Sequence, residues 1–453
     1  MSTLLILVLV IVFIVFSTAK LKIHPFLTLL LASFITAFAY GIPSADIAKI
    51  ITSGFGSILG YIGLVIALGT IIGTILEKTG AAITMADVII KKLGNRFPTL
   101  TMSIIGYLVS IPVFCDSGFV ILNSLKQSMA NRAKISSVSM SIALATGLYA
   151  SHTFVPPTPG PIAAAGNLGL ESNLGLVIVV GLFVAAFAAL SGLLWANRFA
   201  DVQPDGPNIE ALLNQASSSE KLLDDNFQAP RPIYAFAPIF VPILLICLGS
   251  MVNLPSVTLG QQNFIFAALT FLGQPINALL IGLMLSTLLL KRGAKIAAFS
   301  GYISQGLVVA APILLITGAG GAFGAVLKAT DLGAFLGTNL SALGVGILMP
   351  FLVAAALKSA QGSSTVALVA TSALVAPLLA DIGLNTEMGR VLTVMAIGAG
   401  AMTVSHANDS FFWIVSQFSH MSVQQAYKAH TVATLIQGVT AMFVVYLLSL
   451  VLL

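Results

Sequence analysis

The stretch YASHTFVPPTPGP, Tyr149–Pro161, decides how this chain folds. Proline removes a backbone donor and clashes with the turn before it, so a helix entering at Tyr149 cannot run through Pro156, Pro157, Pro159 and Pro161 unbroken. In a water-soluble protein such a stretch is an ordinary loop. Its surroundings make it something else.

Of the 453 residues, 58% are hydrophobic and only 8% are charged, and the mean hydropathy is +1.03. A soluble domain of this length needs far more charge at its surface, so the composition implies a polytopic membrane protein. A bilayer core takes about 20 apolar residues per helix, and such runs recur at 2–19, 24–42, 56–76, 174–195, 233–252, 274–290 and 430–453. Nothing alternates as barrel strands do. The expected fold class is therefore all-α and membrane-embedded. No Lys or Arg precedes the first run, while Lys20 and Lys22 follow it, the reverse of a signal peptide. That run is expected to be a retained helix with its N-terminus outside. Two cysteines, Cys115 and Cys247, support neither a disulfide framework nor a metal site. The net charge of +5 comes from basic residues scattered through loops, so no nucleic-acid partner is expected.

Lys and Arg collect on the cytoplasmic side of membrane proteins. Crossing at each long run leaves only Lys49, Lys328 and Arg390 outside and Lys358 within the membrane; all the other basic residues, Lys126 among them, fall inside. Both termini are then periplasmic. The bookkeeping requires residues 97–127 and 342–380 to enter and return on one side. Each has a polar tip between apolar arms, IPVFCDSGFVIL and LKSAQGSSTVAL, so both are expected to be re-entrant hairpins. Such backbone is tolerated only against protein or a water-filled cavity. A segment at 199–232, with Asp201, Asp205, Glu210, Glu220, Asp224 and Asp225 among serines and prolines, reads as a cytoplasmic linker.

The halves on either side of it, 1–198 and 233–453, repeat one another. ALATGLYASHTFVPP (143–157) aligns with AIGAGAMTVSHANDS (396–410), and IGTILEKTG (72–80) with FGAVLKATD (323–331). Five crossings per half would invert the second copy, giving about ten helices and two hairpins around broken helices at 136–170 and 391–418. Inverted repeats with a mid-membrane site between discontinuous helices are typical of secondary transporters. In the linker before the first hairpin, Ile83, Ala86 and Ile90 form an apolar face opposite Thr84, Asp87 and Lys91, as in an interfacial helix.

Four polar foci then converge. Helix N-termini and exposed backbone N–H groups hold anions, and Ser117, Gly118, Gln361, Gly362, Ser363, Ser364 and Thr365 at the tips allow close approach, although small residues also serve helix packing. Asp116 and Asp409 lie at membrane depth, where an ionised acid costs about 2.5–3.5 kcal/mol. Either is a candidate proton carrier; either could instead pair with Lys358, which could also meet a substrate carboxylate. His152 and His406, at matched positions, could read substrate hydroxyls, relay protons or satisfy freed carbonyls. Thr153, Thr158, Asn408 and Ser410 complete the candidate substrate contacts. No enzyme motif and no cofactor or metal signature competes. An anion channel is the rival of different class, since its pore also needs polar residues in the membrane.

The chain resembles the gluconate permease (GntP) family of bacterial proton symporters along essentially its whole length. The stretches that carry the resemblance are LKIHPFLTLLLASF (21–34), HTFVPPTPGPIA (152–163), AQGSSTVA (360–367) and SHANDSFFW (405–413). It implies proton-coupled import of gluconate or a related sugar acid across the inner membrane, with D-serine carried by one branch. A homodimer and an elevator motion are implied through a similar repeat plan in other carboxylate transporters. Relatives usually carry Glu-Val-Gly where Asp116-Ser117-Gly118 stands, a histidine where Thr158 stands, and NDPGFW where this chain has Asn408-Asp409-Ser410-Phe411-Phe412-Trp413. A shorter hydroxy acid, such as glycerate or a threonate-like acid, is therefore an alternative to gluconate.

Overall fold

The computed structural model describes residues 3–21, 23–93, 96–206, 230–252, 264–290, 295–330, 346–407 and 409–453. Asn408, Lys22, Lys291, Arg292, most of the linker and residues 331–345 lie outside the described residues. Every regular element among the described residues is helical. The first half runs α1 (Thr3–Ala19), α2 (Pro25–Ala39), α3 (Ser44–Lys78), α4 (Ala81–Leu93), α5 (Pro98–Val109), α6 (Cys115–Ile121), α7 (Asn123–Ala133), α8 (Ser137–Phe154), α9 (Pro159–Asn167) and α10 (Leu174–Ala196). The second runs α11 (Pro232–Val252), α12 (Phe264–Leu272), α13 (Pro275–Ser286), α14 (Lys295–Lys328), α15 (Leu348–Gln361), α16 (Ser364–Val375), α17 (Glu387–Met402), α18 (Ser410–Phe418), α19 (Val423–Ala426) and α20 (Val432–Leu452).

Among the described residues, five helices are long and apolar enough to cross a membrane, or seven if α3 and the α12–α13 pair, bent by 47° and 73°, each count as one span. The shorter apolar helices are α2, α5, α15 and α16, of which α5, α15 and α16 belong to the two hairpins. The position of each helix follows from its hydropathy. The α10 helix, the most apolar span, turns Phe183, Phe187, Leu190 and Leu194 outward. The α8 helix is the least apolar, rich in Ser, Thr and Gly, and every residue from Val138 to Phe154 is buried. A helix whose surface is small and weakly polar gains little from lipid and packs closely against other helices instead. Thus α8 and α17 form the centre, and the greasier helices surround them.

Glycines set the closest approaches. The long helices α3 and α14 run antiparallel, and a Cβ on Gly54 would lie 2.5 Å from the Ala325 Cβ. In each half the first arm of the hairpin packs against a glycine of the central helix. A Cβ on Gly147 of α8 would fall inside 3.0 Å of the Ser103 carbonyl on α5, and one on Gly400 of α17 inside 3.0 Å of the Phe351 carbonyl on α15. Gly147 and Gly400 are paired in the alignment of the two halves.

Three details differ from the sequence reading. The first hairpin breaks at Ser110–Phe114, so Cys115–Gly118 forms the opening turn of α6 rather than a loop. On α4 the buried face is Ala82, Met85, Ala86 and Ile89, and Thr84 joins it because its hydroxyl bonds the Gly80 carbonyl of its own helix. Lys126, expected in cytoplasmic solvent, is fully buried. Its ammonium donates to the Phe418 carbonyl at 3.0 Å and lies 5.2 Å from the Phe119 ring centre, so it neutralises the C-terminal end of α18.

At the end of the bundle where α8 begins, the start of the linker is laced to the turn after α18. The Asp205 carboxylate accepts from the Ser422 amide at 2.9 Å, Gln425 donates to the Gln203 carbonyl, and the Gly206 amide donates to the His420 carbonyl. The Ser422 amide bond holds the Asp205 carboxyl below its usual range. A depressed acid stabilises the fold above its ordinary value and loses that contribution as pH falls through its folded value. The Ser422 amide is accordingly expected to stay protected from hydrogen exchange down to about the ordinary aspartate value of 3.9 and to open only below it. In Asp205→Asn this step disappears from the exchange profile. For the central packing, Gly147→Ala is expected to lower stability in detergent by about 1–3 kcal/mol, read as a fall in unfolding temperature. An unchanged temperature would show that α5 and α8 can separate freely.

Candidate functional site

The site forms where the α17–α18 break meets the tip of the α15–α16 hairpin. Asp409 is the N-cap of α18, and its Oδ1 accepts the Phe411 amide at 3.1 Å. Its Oδ2 accepts two further donors at 2.5 Å, the Ser405 hydroxyl and the Lys358 ammonium. Lys358 comes from the last turn of α15 and also donates to the Gly362 carbonyl at 2.5 Å. Gly362 closes α15 in the left-handed region, at φ +88°, where a Cβ would be strained. The side chains of Lys358 and Asp409 are 1% and 6% exposed. The Tyr149 ring of α8 covers the ammonium at 5.8 Å, and its hydroxyl faces the Ser364 side chain.

The second acid joins from the other hairpin. Asp116, in the first turn of α6, accepts the Ser410 hydroxyl at 3.0 Å and the weaker Cys115 thiol at 3.7 Å. The N-terminus of α6 thus meets that of α18. The N-termini of α9 and α16 also meet, since a Cβ on Gly160 would lie 3.6 Å from the Thr365 Cα. Four short helices therefore turn their positive ends toward one region from both halves.

The structure gathers Asp116, Asp409, Ser410, Lys358, Gly362 and Ser364 there and spreads the remaining candidates around them. Ser363 caps α16 by accepting the Val366 amide. Ser117 and Thr365 are half-buried beside the two tips, Gln361 ends α15, and Gly118 packs on Leu148. Thr158 opens α9, but its hydroxyl donates to the Val155 carbonyl. Thr153 spends its hydroxyl on the Tyr149 and Ala150 carbonyls of its own helix. The two matched histidines differ: His406 Nε2 meets the Ser359 carbonyl at 2.9 Å, whereas buried His152 rests on the Phe114 ring with Nδ1 unpartnered. Asn408 lies outside the described residues.

Three further residues belong to the cluster and were not expected from sequence. Tyr149 roofs the ion pair, Ser405 bonds Asp409, and His430 Nε2 lies 3.2 Å from the Ser405 hydroxyl. Ser405 stood beside the matched histidine in the SHAND stretch. His430 opens the last apolar run, where a lone histidine is the one signal available. Among the described residues no cluster of His, Cys, Asp and Glu is arranged to hold a metal.

A lysine, two acids, hydroxyls and four helix N-termini suit the recognition of a small polar anion rather than bond-breaking chemistry. Comparison with known proteins agrees with that reading. Residues 2–451 match the profile of the GntP family permeases. The inner membrane permease YgbN of Escherichia coli is 33% identical over 436 residues, covering 94% of each chain. A gluconate permease of Pseudomonas aeruginosa is 33% identical over 437 residues, covering 96% of this chain and 94% of its own. The D-serine transporter DsdX of E. coli is 33% identical over 443 residues, covering 97% and 96%. Among solved structures, the YdaH transporter of Alcanivorax borkumensis superposes with a TM-score of 0.66 at 13% identity over 94% of this chain and 98% of that one. MtrF of Neisseria gonorrhoeae gives 0.64 at 13% identity over 95% and 96%, and both likenesses concern the fold alone. The chain is a membrane transporter of small organic acids, not an enzyme, and it belongs to the GntP permease family.

Proposed function

We propose that this permease imports gluconate or a related small hydroxylated carboxylate together with a proton across the bacterial inner membrane. The observation that carries the reading is the buried Lys358–Asp409 pair at the helix break. In the empty site the ammonium is neutralised by Asp409. A substrate carboxylate entering alone would add an uncompensated negative charge, and a proton on Asp409 alone would strand the ammonium. Either imbalance in a desolvated site costs several kcal/mol. Entering together, they leave the total charge unchanged: the proton neutralises Asp409 and the substrate carboxylate takes its place on Lys358. Whatever charge Asp116 carries is the same in both states. The N-termini of α9 and α16 and the hydroxyls of Ser363, Ser364 and Thr365 complete the carboxylate site, while His152, His406 and Asn408 read hydroxyls. A cleft of about 660 Å³ at the far ends of α9 and α16, lined by Lys328, Arg390 and Asn385 as well as Glu171, offers an anion an approach.

The architecture proposed with this function is the inverted repeat of 1–198 and 233–453, about ten helices and two hairpins, working as a homodimer with both termini periplasmic. The matched roles of Gly147 and Gly400 support the repeat. A second reading, an amino acid such as D-serine, draws on Asp116. The hydrogen-bond partners described for it are the Ser410 hydroxyl and the Cys115 thiol, so a substrate ammonium would find a carboxylate there.

Uptake into proteoliposomes of gluconate, glycerate, threonate and D-serine, with imposed proton or sodium gradients, tests both readings. An inward proton gradient is expected to drive accumulation; drive by sodium alone would sink the coupling. Apparent affinity for the anion should rise as pH falls, because binding needs Asp409 protonated. Asp409→Asn should bind the anion with no pH dependence and lose accumulation, and Lys358→Met should weaken carboxylate binding about a hundredfold, the scale of one lost buried charge-assisted contact. Full concentrative uptake by Asp116→Asn would leave the proton to Asp409, and loss of it would give Asp116 a share.

A further inference from the structure

We propose that Ser405 and His430 form a proton relay ending on Asp409, an inference that rests on the proton-coupled reading above. The geometry is a continuous chain. His430 Nε2 lies 3.2 Å from the Ser405 oxygen, and Ser405 lies 2.5 Å from Asp409 Oδ2. A hydroxyl has one proton to give. Ser405 gives it to the Asp409 carboxylate, so the Ser405 oxygen is an acceptor toward the imidazole. With Asp409 ionised, His430 therefore carries its proton on Nε2, leaving Nδ1 as a bare acceptor. Nδ1 is buried and has no hydrogen-bond partner.

The fold holds both members of the chain in place. Val404 adopts φ +60°, an outlier for a β-branched residue and a strained one. It is retained beside two bonds that fix Ser405: the Ser405 amide donates to Thr434 Oγ1 at 2.9 Å, and Thr431 Oγ1 donates to the Ser405 carbonyl at 2.6 Å. His430 sits in a single π-helical turn, Tyr427–Thr431, a feature found often at functional sites. The widened turn presents the Ala429 carbonyl to the Trp195 indole N–H at 3.1 Å. The imidazole is clamped by the Phe411 ring at 5.4 Å and the Phe412 ring at 6.4 Å. The charged groups acting on it are Asp409 from the α17–α18 break and Lys358 from α15. Its described hydrogen-bond partner is the Ser405 hydroxyl at Nε2.

The transfer balances. A proton arriving from water binds Nδ1; the Nε2–H bond breaks as its proton moves to the Ser405 oxygen, and the original Ser405 O–H proton moves to Asp409 Oδ2. The products are a neutral Nδ1–H imidazole, an intact serine hydroxyl and a carboxylic acid whose bond to Lys358 is released. The reverse sequence discharges Asp409 and restores the starting tautomer.

The test uses full-length protein in proteoliposomes with radiolabelled gluconate, or radiolabelled glycerate where the wild type carries that acid. Two modes are measured: accumulation driven by an inward proton gradient, and exchange of labelled for unlabelled substrate with no gradient. In His430→Gln, accumulation is expected to fall about a hundredfold, the usual weight of a positioned proton-transfer group, and well beyond any loss of exchange, so that the ratio of accumulation to exchange drops at least about tenfold. Ser405→Ala should show the same split, and Ser405→Thr, which keeps the hydroxyl, should restore accumulation. Should His430→Gln fail to fold, the Ser405→Ala and Ser405→Thr pair decides. Wild-type accumulation in the variants overturns the relay, as does a parallel fall of both modes. Failure of the coupling reading itself shows separately, as a wild type that accumulates on sodium and not on protons.

Discussion

The rest of the site depends on one buried ion pair. Lys358 and Asp409 sit where water does not reach, and breaking such a pair by removing one partner costs about 3–5 kcal/mol. The chain accepts that liability at the point where two discontinuous helices meet. Lys358 also neutralises the end of α15 through the Gly362 carbonyl, and Asp409 also caps the start of α18 through the Phe411 amide. Each charge therefore satisfies backbone groups that a broken helix would leave orphaned in the membrane. The pair is at once the cap of two helix ends and the charge that an anion would have to exchange, so the helix breaks and the binding chemistry are one constraint rather than two.

Close packing makes that constraint affordable. The central helices α8 and α17 carry few large side chains, and glycine lets the first arm of each hairpin approach them backbone to backbone. Most hydroxyls of α8 and α17 are bonded within their own helices, as in Thr146 and Thr393, and Ser139 donates across to the Ala196 carbonyl of α10. In these two helices little polarity is left unspent except at the breaks. The contrast between a quiet, fully satisfied helix body and a polar break is what confines the charges to one place.

Much of this was legible in the chain itself. Hydropathy and proline gave the helical class and the broken segments, with Asp116, Asp409 and Lys358 beside the breaks, because those signals are local and strong. The match of Ser151-His152 to Ser405-His406 located both breaks. What escaped was tertiary. Nothing in CDSGFV says that Asp116 opens a helix, since the break falls four residues earlier on a run of apolar side chains. The Thr84 hydroxyl reads as polar surface until its own helix is seen to accept it. Tyr149 and His430 joined the site because distant helices bring them there, and a lone histidine at the head of an apolar run carries no spacing signal. Lys126 looked like a loop cation because its partner, the Phe418 carbonyl, lies 292 residues away.

The matched residues of the two halves are not in matched states. His406 is tied to the Ser359 carbonyl of the second hairpin, while His152 has an unpartnered Nδ1 against the Phe114 ring. The second hairpin is fastened to its break by the Lys358 ion pair, the first to α18 by the Lys126 ammonium on the Phe418 carbonyl and by Asp116 with the Ser410 hydroxyl. In an inverted-repeat carrier, alternating access exchanges the conformations of the two halves, so a single conformation must be asymmetric at equivalent positions. The asymmetry has a chemical edge as well. Among the described residues the buried ion pair belongs to the second hairpin, whereas the first is held by a lysine on a carbonyl and by a hydroxyl on a carboxylate. Binding that dissolves the Lys358–Asp409 bond removes the fastening of the second hairpin alone. On the proposed coupling, the half that carries the ion pair would be the half that substrate and proton release, and a ligand shifts such an equilibrium only as far as it binds the two states differently.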